Sequence, residues 1–580
     1  MAKARRVALL CIDPWHWAEG SQQKPFNYGA RRIQAAILGH PELADCDVRL
    51  IESMSLDVDE VSSELEAFDP DFIGASAFVW SFPTLLEASR RAKLKRPDRT
   101  VIFGGPSARP EMLRLPQHRH GREVIDALVE GDGESTIEDL LLAPQLTSQT
   151  LRGISGLHLP DADGWHFTGK RTLPSPDAHP SPYQMGLVPP GRQADIESFR
   201  GCPLSCTYCE WGDTGVQSRT FGYEYLVKEL TALKSAKAES IWLVDPALNL
   251  NHKAFQNLRR AEAEVGALRA VGGFRCEIYP SHMTDEHLAF LQDTKAAHAG
   301  IGLQSLDKEV LHALERPFDE KKFERVAREV ASIVPDTVIE IIMGLPGDTP
   351  DNFKRTVERV SQLPVSLRIF HCLVLPSALM TRAPAEFDLK FDPFTLKMIS
   401  CQGWSEKDFE DMYRWLDVNA SPDSNNAKVR RAELNVPQAR RTSKTSPVSR
   451  ELHDALARSV RASSTWTLDG ADALDGEDGR AGFIAHLRRA DGVLDLRVWP
   501  WDGVAPRFLE ADRIAYAYSG GGTSLDAQSA GTLKNVIRQI HPIAHAVIRG
   551  LGTASRSGAA PRVVPLGGVG PNRPESEIKL

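Results

Sequence analysis

The feature that most constrains this chain is an alternation, met twice, of short apolar runs and helix-spaced stretches. Over residues 4–145 the runs are VALLCI (7–12), DVRLIE (47–52), FIGASAFVW (72–80), TVIFGG (100–105) and ALVEGDG (127–133), with helical spacing in segments such as 60–68 and 83–94. Near-continuous apolar strands separated by helices predict a parallel sheet covered on both faces. Residues 1–145 are therefore expected to form a doubly wound, Rossmann-like α/β domain that binds its ligand outside the carboxyl ends of the strands. Residues 193–385 repeat the pattern with ADIESF (194–199), SIWLVD (240–245), GGFRCEIY (272–279), HAGIGLQS (298–305), TVIEIIMG (337–344) and SLRIFHCLVL (366–375). Six β-then-α units predict a partial (β/α)6 barrel, with its chemistry in the loops that follow the strands.

The remaining segments are weaker in pattern. Residues 146–192 are rich in Pro and Gly and read as a connecting strap. Residues 386–448 read as a helical extension and polar linker, 449–545 as a small C-terminal α/β or α+β module, and 546–580 as a disordered tail. A chain of 580 residues is long enough for several domains. Its net charge of −8 offers no electrostatic footprint for nucleic acid. No window approaches the roughly 18 uninterrupted apolar residues of a membrane span. The apolar run near the N-terminus is broken by Asp13 and Pro14, so it reads as a strand and not a signal peptide. A cytoplasmic protein with no membrane partner is expected.

Eight cysteines in this length are too few for a disulfide scaffold. Three of them crowd into RGCPLSCTYCEWG (200–212): Cys202, Cys206 and Cys209, spaced C-x3-C-x2-C. Clustered cysteines point to metal or redox chemistry. The other five, Cys11, Cys46, Cys276, Cys372 and Cys401, are isolated and read as buried thiols. Thiolates suit zinc or an iron–sulfur cluster. A structural zinc site normally closes with a fourth ligand. A cubane held by three thiolates leaves one iron open for substrate.

The loop C-x3-C-x2-C after the first strand of a βα barrel, with aromatic Tyr208 before the third cysteine, resembles the signature of the radical S-adenosylmethionine (SAM) enzymes. The resemblance implies a 4Fe-4S cluster on Cys202, Cys206 and Cys209, whose open iron chelates SAM. It implies SAM contacts at Asp245 in DPALN, at Gln304 and Ser305 in GIGLQS, and at Gly344 in IIMGLPGDT. Glu277 in FRCEIYP is a further candidate, as a SAM or substrate contact, as the partner of Arg275, or as an iron ligand. Trp211 and Gly212 would shape the substrate cavity.

The sheet ahead of the barrel lacks G-x-G-x-x-G, which disfavours a dinucleotide. It carries FGGPSARP and VEGDGES instead. These resemble the cobalamin-binding domain found in front of many radical SAM domains, and the similarity spans roughly residues 1–417. Contacts to cobalamin are implied at Gly104, Gly105, Pro106, Gly131, Gly133 and Glu134, with Trp80 over the lower corrin face. There is no D-x-H-x-x-G. That fits base-off binding without a protein histidine, His16 being the rival axial ligand.

The whole pattern resembles the cobalamin-dependent (class B) radical SAM methyltransferases. It implies methylation of an unactivated carbon of a small-molecule or peptide precurser of a natural product. One SAM would yield methylcobalamin and S-adenosylhomocysteine; a second would yield the 5′-deoxyadenosyl radical that activates the substrate. An external electron donor such as flavodoxin is implied. The alternatives are non-radical methylation of an sp2 carbon, as in tryptophan 2-C-methylases, and a cobalamin-dependent rearrangement or cyclisation without methylation. A cluster-bearing electron carrier or structural zinc protein is the alternative outside enzymes of this kind.

Overall fold

In a computed structural model, residues 5–13, 27–54, 56–162, 164–212, 218–392 and 395–419 are described, together with the backbone of eight strands between Val429 and Lys579. The chain divides into two compact units, one of residues 1–387 and 418–440 and the other of residues 388–417 and 441–580.

The first unit opens with a seven-stranded sheet. Its strands are β1 (Arg6–Ile12), β2 (Asp47–Ser53), β3 (Phe72–Ser76), β4 (Thr100–Gly104), β5 (Ala127–Val129), β6 (Leu157–Asp161) and β7 (Gly164–Phe167), in the order β2-β1-β3-β4-β5-β6-β7. The pairs from β2 to β5 are parallel, and β6 and β7 add an antiparallel hairpin at one edge. Helices α1 (Tyr28–Gly39), α2 (Val58–Phe68), α3 (Phe82–Lys95) and α4 (Pro110–Arg114) separate the parallel strands, and α5 (Glu134–Leu142) follows β5. Ile37 of α1 and Ile137, Leu140 and Leu141 of α5 pack with Val7, Leu9, Phe72, Ile102 and Val129 of the sheet. The order 2-1-3-4-5 is a doubly wound topology whose switch point lies between β1 and β3.

Two boundaries differ from the sequence reading. The run 72–80 stops being a strand at Ser76, because the Ser81 side chain accepts from the Phe78 amide and turns the chain into α3. The hairpin of β6 and β7 lies inside the segment 146–192 read as a strap. Its strands are short and only partly apolar, so they carry little pattern.

The second sheet of this unit is parallel throughout. It holds β8 (Ala194–Ile196), then, after the short antiparallel pair β9 (Phe199–Arg200) and β10 (Arg219–Thr220), β11 (Ile241–Leu243), β12 (Phe274–Ile278), β13 (Ala296–Gln304), β14 (Asp336–Met343) and β15 (Ser366–His371). These are the six expected strands, in chain order across the sheet. A seventh, Val429–Ala432, joins parallel to β15, in a segment read as linker. Strand β12 shows why the wall forms: Phe274, Cys276 and Ile278 are buried, while Arg275 and Glu277 point to the other, partly open face.

The second unit contains an antiparallel pair, Lys390–Phe391 with Met398–Ser400, and a seven-stranded sheet built from Ser446–Pro447 to Ile578–Lys579. All but one of the pairings in that sheet are antiparallel. The disorder expected of 546–580 falls mostly outside the described residues, as do any helices of the C-terminal module.

Candidate active site

The cysteine loop leaves β9 and returns through β10, which pair antiparallel with Arg200 opposite Arg219. Residues 213–217 of the loop lie outside the described residues. The Cys209 amide donates to the Cys206 carbonyl (3.1 Å), so the last two cysteines share one tight turn. Arg382 crowns this turn, its guanidinium donating to the carbonyl oxygens of Ser205 (3.2 Å), Cys206 (3.1 Å) and Cys209 (2.5 Å). Arg316 approaches from below, with Nη1 3.8 Å from Cys206 Sγ and Nη2 bonded to the Gly302 carbonyl. Tyr208 is buried within the loop. Burial pushes the Cys209 thiol up to about 11, with the charges of Cys206 and Cys202 adding to the rise.

Among the described residues, no three Cys, His, Asp or Glu side chains converge tightly enough to hold a single metal ion. A cubane takes its three thiolates on three different irons, whereas a single zinc ion gathers its ligands on one centre. The donor set fits a cluster: three thiols on one loop, with two arginines against it.

The expected SAM residues line the strand ends that follow. Gln304 ends β13 in the left-handed region (φ 76°), just after a register shift against β14. A non-glycine residue there is uncommon, and such strain concentrates at functional sites. Gly344 and Gly347 take φ of 89° and 85° after β14, and a Cβ on Gly347 would meet nothing within 4 Å.

Two of the expected contacts are engaged elsewhere. Ser305 is buried, with its hydroxyl donating to Asp348 (3.2 Å) and accepting from the Asp307 amide (3.1 Å). Asp245 is 3% exposed and accepts from the amides of Ser198 (2.8 Å) and Phe199 (3.3 Å) and from the Ser198 hydroxyl. It therefore braces the turn from β8 into β9. Desolvation raises its carboxyl to about 8 despite those bonds.

Glu277 is not paired with Arg275, whose Nε is buried without a partner. Its carboxylate lies over Gly300 of β13, where a Cβ would push it from its present position. Desolvation raises Glu277 to about 8; Glu340 pushes the same way and Arg368 opposes it. Arg368 is itself bonded to Glu340 (3.0 Å). The residues acting on Glu277 thus belong to β14 and β15, not to the cysteine loop.

At the first sheet, the expected cobalamin residues sit at the carboxyl ends of the strands. Gly105 (φ 92°) and Gly131 (φ 88°) are exposed there. A Cβ on Gly105 would lie 2.8 Å from the Ala77 carbonyl, so this glycine is demanded by the neighbouring turn as well as by any ligand. Gly104 and Pro106 flank it, with ordinary contact distance around Gly104. A Cβ on Gly133 would lie 2.8 Å from Ile33 Cδ1, so Gly133 serves the packing of α1. Trp80 lies at the switch point, its Nε1 donating to the Ile12 carbonyl (3.1 Å) and its ring stacked on Phe78. The open backbone of the two glycine turns fits a large planar ligand. His16 lies outside the described residues.

Glu134 is 4% exposed, and its carboxylate is ion-paired with Arg200 (2.8 Å) and Arg32 (3.3 Å). Desolvation would raise its carboxyl, but the two guanidiniums overcome it and hold the group well below the usual range.

Two family models fall on the two sheets. The B12 binding domain matches residues 33–141 and the radical SAM superfamily residues 196–360. The chain thus carries a B12 binding domain ahead of a radical SAM domain. The radical SAM domain implies a 4Fe-4S cluster and SAM as cofactors, and the B12 binding domain implies cobalamin. Among curated proteins, the chain is 26% identical over 336 residues to the 2-(S-pantetheinyl)-carbapenam-3-carboxylate methyltransferase of Streptantibioticus cattleyicolor, covering 53% of this chain and 48% of that one. It is 24% identical over 386 residues to the cobalamin-dependent radical SAM methyltransferase TokK of Streptomyces tokunonensis, covering 61% and 54%. The chain thus spans about half the length of the curated relatives it matches. Its fold is similar to that of the radical SAM methyltransferase TsrM from Kitasatospora setae, at 18% identity and a TM-score of 0.51 over 65% of this chain and 75% of that one.

Sequence reasoning missed Arg200, Arg219, Asp132, Arg316 and Arg382. Arg200 adjoins the motif and was within reach, as a charge forced into a half-buried strand. Arg382 lies more than 170 residues from the carbonyls it holds, and no local pattern marks it.

Proposed function

We propose that this chain is a cobalamin-dependent radical SAM C-methyltransferase that acts on an unactivated carbon of a small-molecule or peptide substrate. The observation that carries the reading is contiguity: Arg200, two residues before Cys202, is bonded to Asp132 in the turn after β5 of the B12 binding sheet and to Glu134 at the start of α5. A methyl donor and a radical source must reach the same carbon, so their sites must adjoin. The names of the two curated relatives, both methyltransferases, support the same reaction.

When bound, the cluster with SAM supplies a carbon-centred radical and the cobalamin supplies a methyl group. The chain's own part is placement. Cys202, Cys206 and Cys209 would hold the cluster, Arg382 fixes their loop, and the backbone beyond Gln304 and Gly344 would receive SAM. Gly105 and Gly131 would admit the corrin, and Trp80 would cover its lower face and exclude water. Glu277, on the open face of β12, would meet SAM or substrate. An external donor such as flavodoxin would supply electrons.

The test is label transfer. With methyl-labelled SAM and a reductant, candidate acceptors of the carbapenam and peptide classes are screened for label on carbon. Label on carbon supports the reading. Consumption of the same acceptors into unlabelled rearranged products contradicts it.

A further inference from the structure

Six charged side chains meet where the turn after β5 touches the base of the cysteine loop. Arg200 Nη1 and Arg219 Nη2 each lie 2.8 Å from the same Asp132 oxygen, Oδ2. Arg200 also pairs with Glu134 (2.8 Å) and Glu197 (2.8 Å), and Arg32 completes the group on Glu134 (3.3 Å). Three cations thus face three anions. Asp132 is the most exposed of the six, at 22% of its side chain.

Arg200 and Arg219 are direct register partners on β9 and β10. Like charges directly opposite each other destabilise a strand pair, and half-buried charges are poorly screened by salt. Left alone, this pair would part and open the base of the cysteine loop. The carboxylate that holds it shut comes from the other sheet, from between Gly131 and Gly133. Arg219 reaches that turn through Asp132 and also donates to the Pro174 carbonyl (2.9 Å).

We infer that Asp132 is a positioning residue that locks the cluster loop in register with the cobalamin turn, so that the two cofactor sites keep one fixed relation. The inference rests on the proposed assignment of those two sites, and its test separates the two.

The full chain carrying Asp132→Asn is compared with wild type, with Arg219→Gln as a second variant and Arg219→Lys as the conservative control. In the cofactor-free protein, hydrogen exchange is read at residues 199–201 and 218–220. After anaerobic loading with the cluster and cob(II)alamin, and one-electron reduction of the cluster by a chemical reductant to its paramagnetic state, magnetic broadening between the two paramagnets is read by EPR, and 5′-deoxyadenosine is counted per methyl transferred. Expected are wild-type iron and cobalamin contents, at least tenfold faster exchange at the loop base with residues 100–104 unchanged, weaker broadening, and a severalfold rise in uncoupled 5′-deoxyadenosine. Arg219→Lys restores the broadening towards wild type. Wild-type exchange and broadening in both Asp132→Asn and Arg219→Gln overturn the inference. If Asp132→Asn does not fold, Arg219→Gln decides; unfolding of both also overturns it, because positioning leaves the fold intact. A wild-type chain that takes up no cobalamin defeats the functional reading instead, while the exchange result still stands on its own.

Discussion

Arg316 places a guanidinium nitrogen 3.8 Å from Cys206 Sγ while its second arm holds the Gly302 carbonyl of β13. The same guanidinium lies 5.0 Å from the centre of the Tyr279 ring. One side chain thereby ties Cys206 to the strand that ends at Gln304.

A donor to a cluster sulfur favours the more electron-rich, reduced state. Arg316→Gln is expected to keep three-cysteine iron binding and to shift the cluster potential negative by about 50 mV, since about 1.4 kcal/mol corresponds to about 59 mV for one electron. An EPR-monitored redox titration checks it; an unchanged or more positive potential counts against the contact.

Breaking the buried ion group from its innermost member should cost folding stability. Arg32 is 1% exposed and leaves Glu134 facing a single guanidinium when removed. Arg32→Met is expected to destabilise the chain by about 3–5 kcal/mol. Denaturant melts of the full chain measure it; a loss below about 1 kcal/mol would show that the pairing contributes little.

Asp245 gives stability a pH dependence of definite sign. Its folded carboxyl lies near 8 against an ordinary value of 3.8, so the native state holds a proton that the unfolded chain releases. The stabilisation is complete below the ordinary value and is lost as pH rises through 8, with a slope of at most about 1.4 kcal/mol per pH unit. Asp245→Asn should flatten the decline between pH 5 and 8.5 in thermal melts. A steeper decline in the variant would reverse the sign.

Glu277→Gln tests where that carboxylate acts. Its neighbours are Gly300, Glu340 and Arg368, so the substitution is expected to leave the cluster's own EPR spectrum unchanged and to lower methyl transfer at least tenfold. An altered spectrum in the absence of SAM would place Glu277 on the cluster.

The sequence carried the architecture because period and order suffice for parallel sheets. All six barrel strands and all five parallel strands of the first sheet were legible as apolar runs. What escaped were elements too short to show a period, such as β6, β7 and Val429–Ala432. At the site, the cysteine spacing was local and therefore readable. Glu134 was readable as part of EGDGE but not as a buried ion partner, because Arg32 and Arg200 lie 102 and 66 residues away along the chain. Asp132 sat unnoticed between two glycines for the same reason.

The most direct test of the account counts both SAM-derived products in one pot. The chain is reconstituted anaerobically with iron, sulfide and hydroxocobalamin, reduced, and given methyl-labelled SAM and an accepted substrate. The account predicts S-adenosylhomocysteine and 5′-deoxyadenosine together, with 5′-deoxyadenosine abolished when Cys202, Cys206 and Cys209 are all replaced by alanine. Either product formed without the other, or 5′-deoxyadenosine that survives the triple replacement, contradicts it.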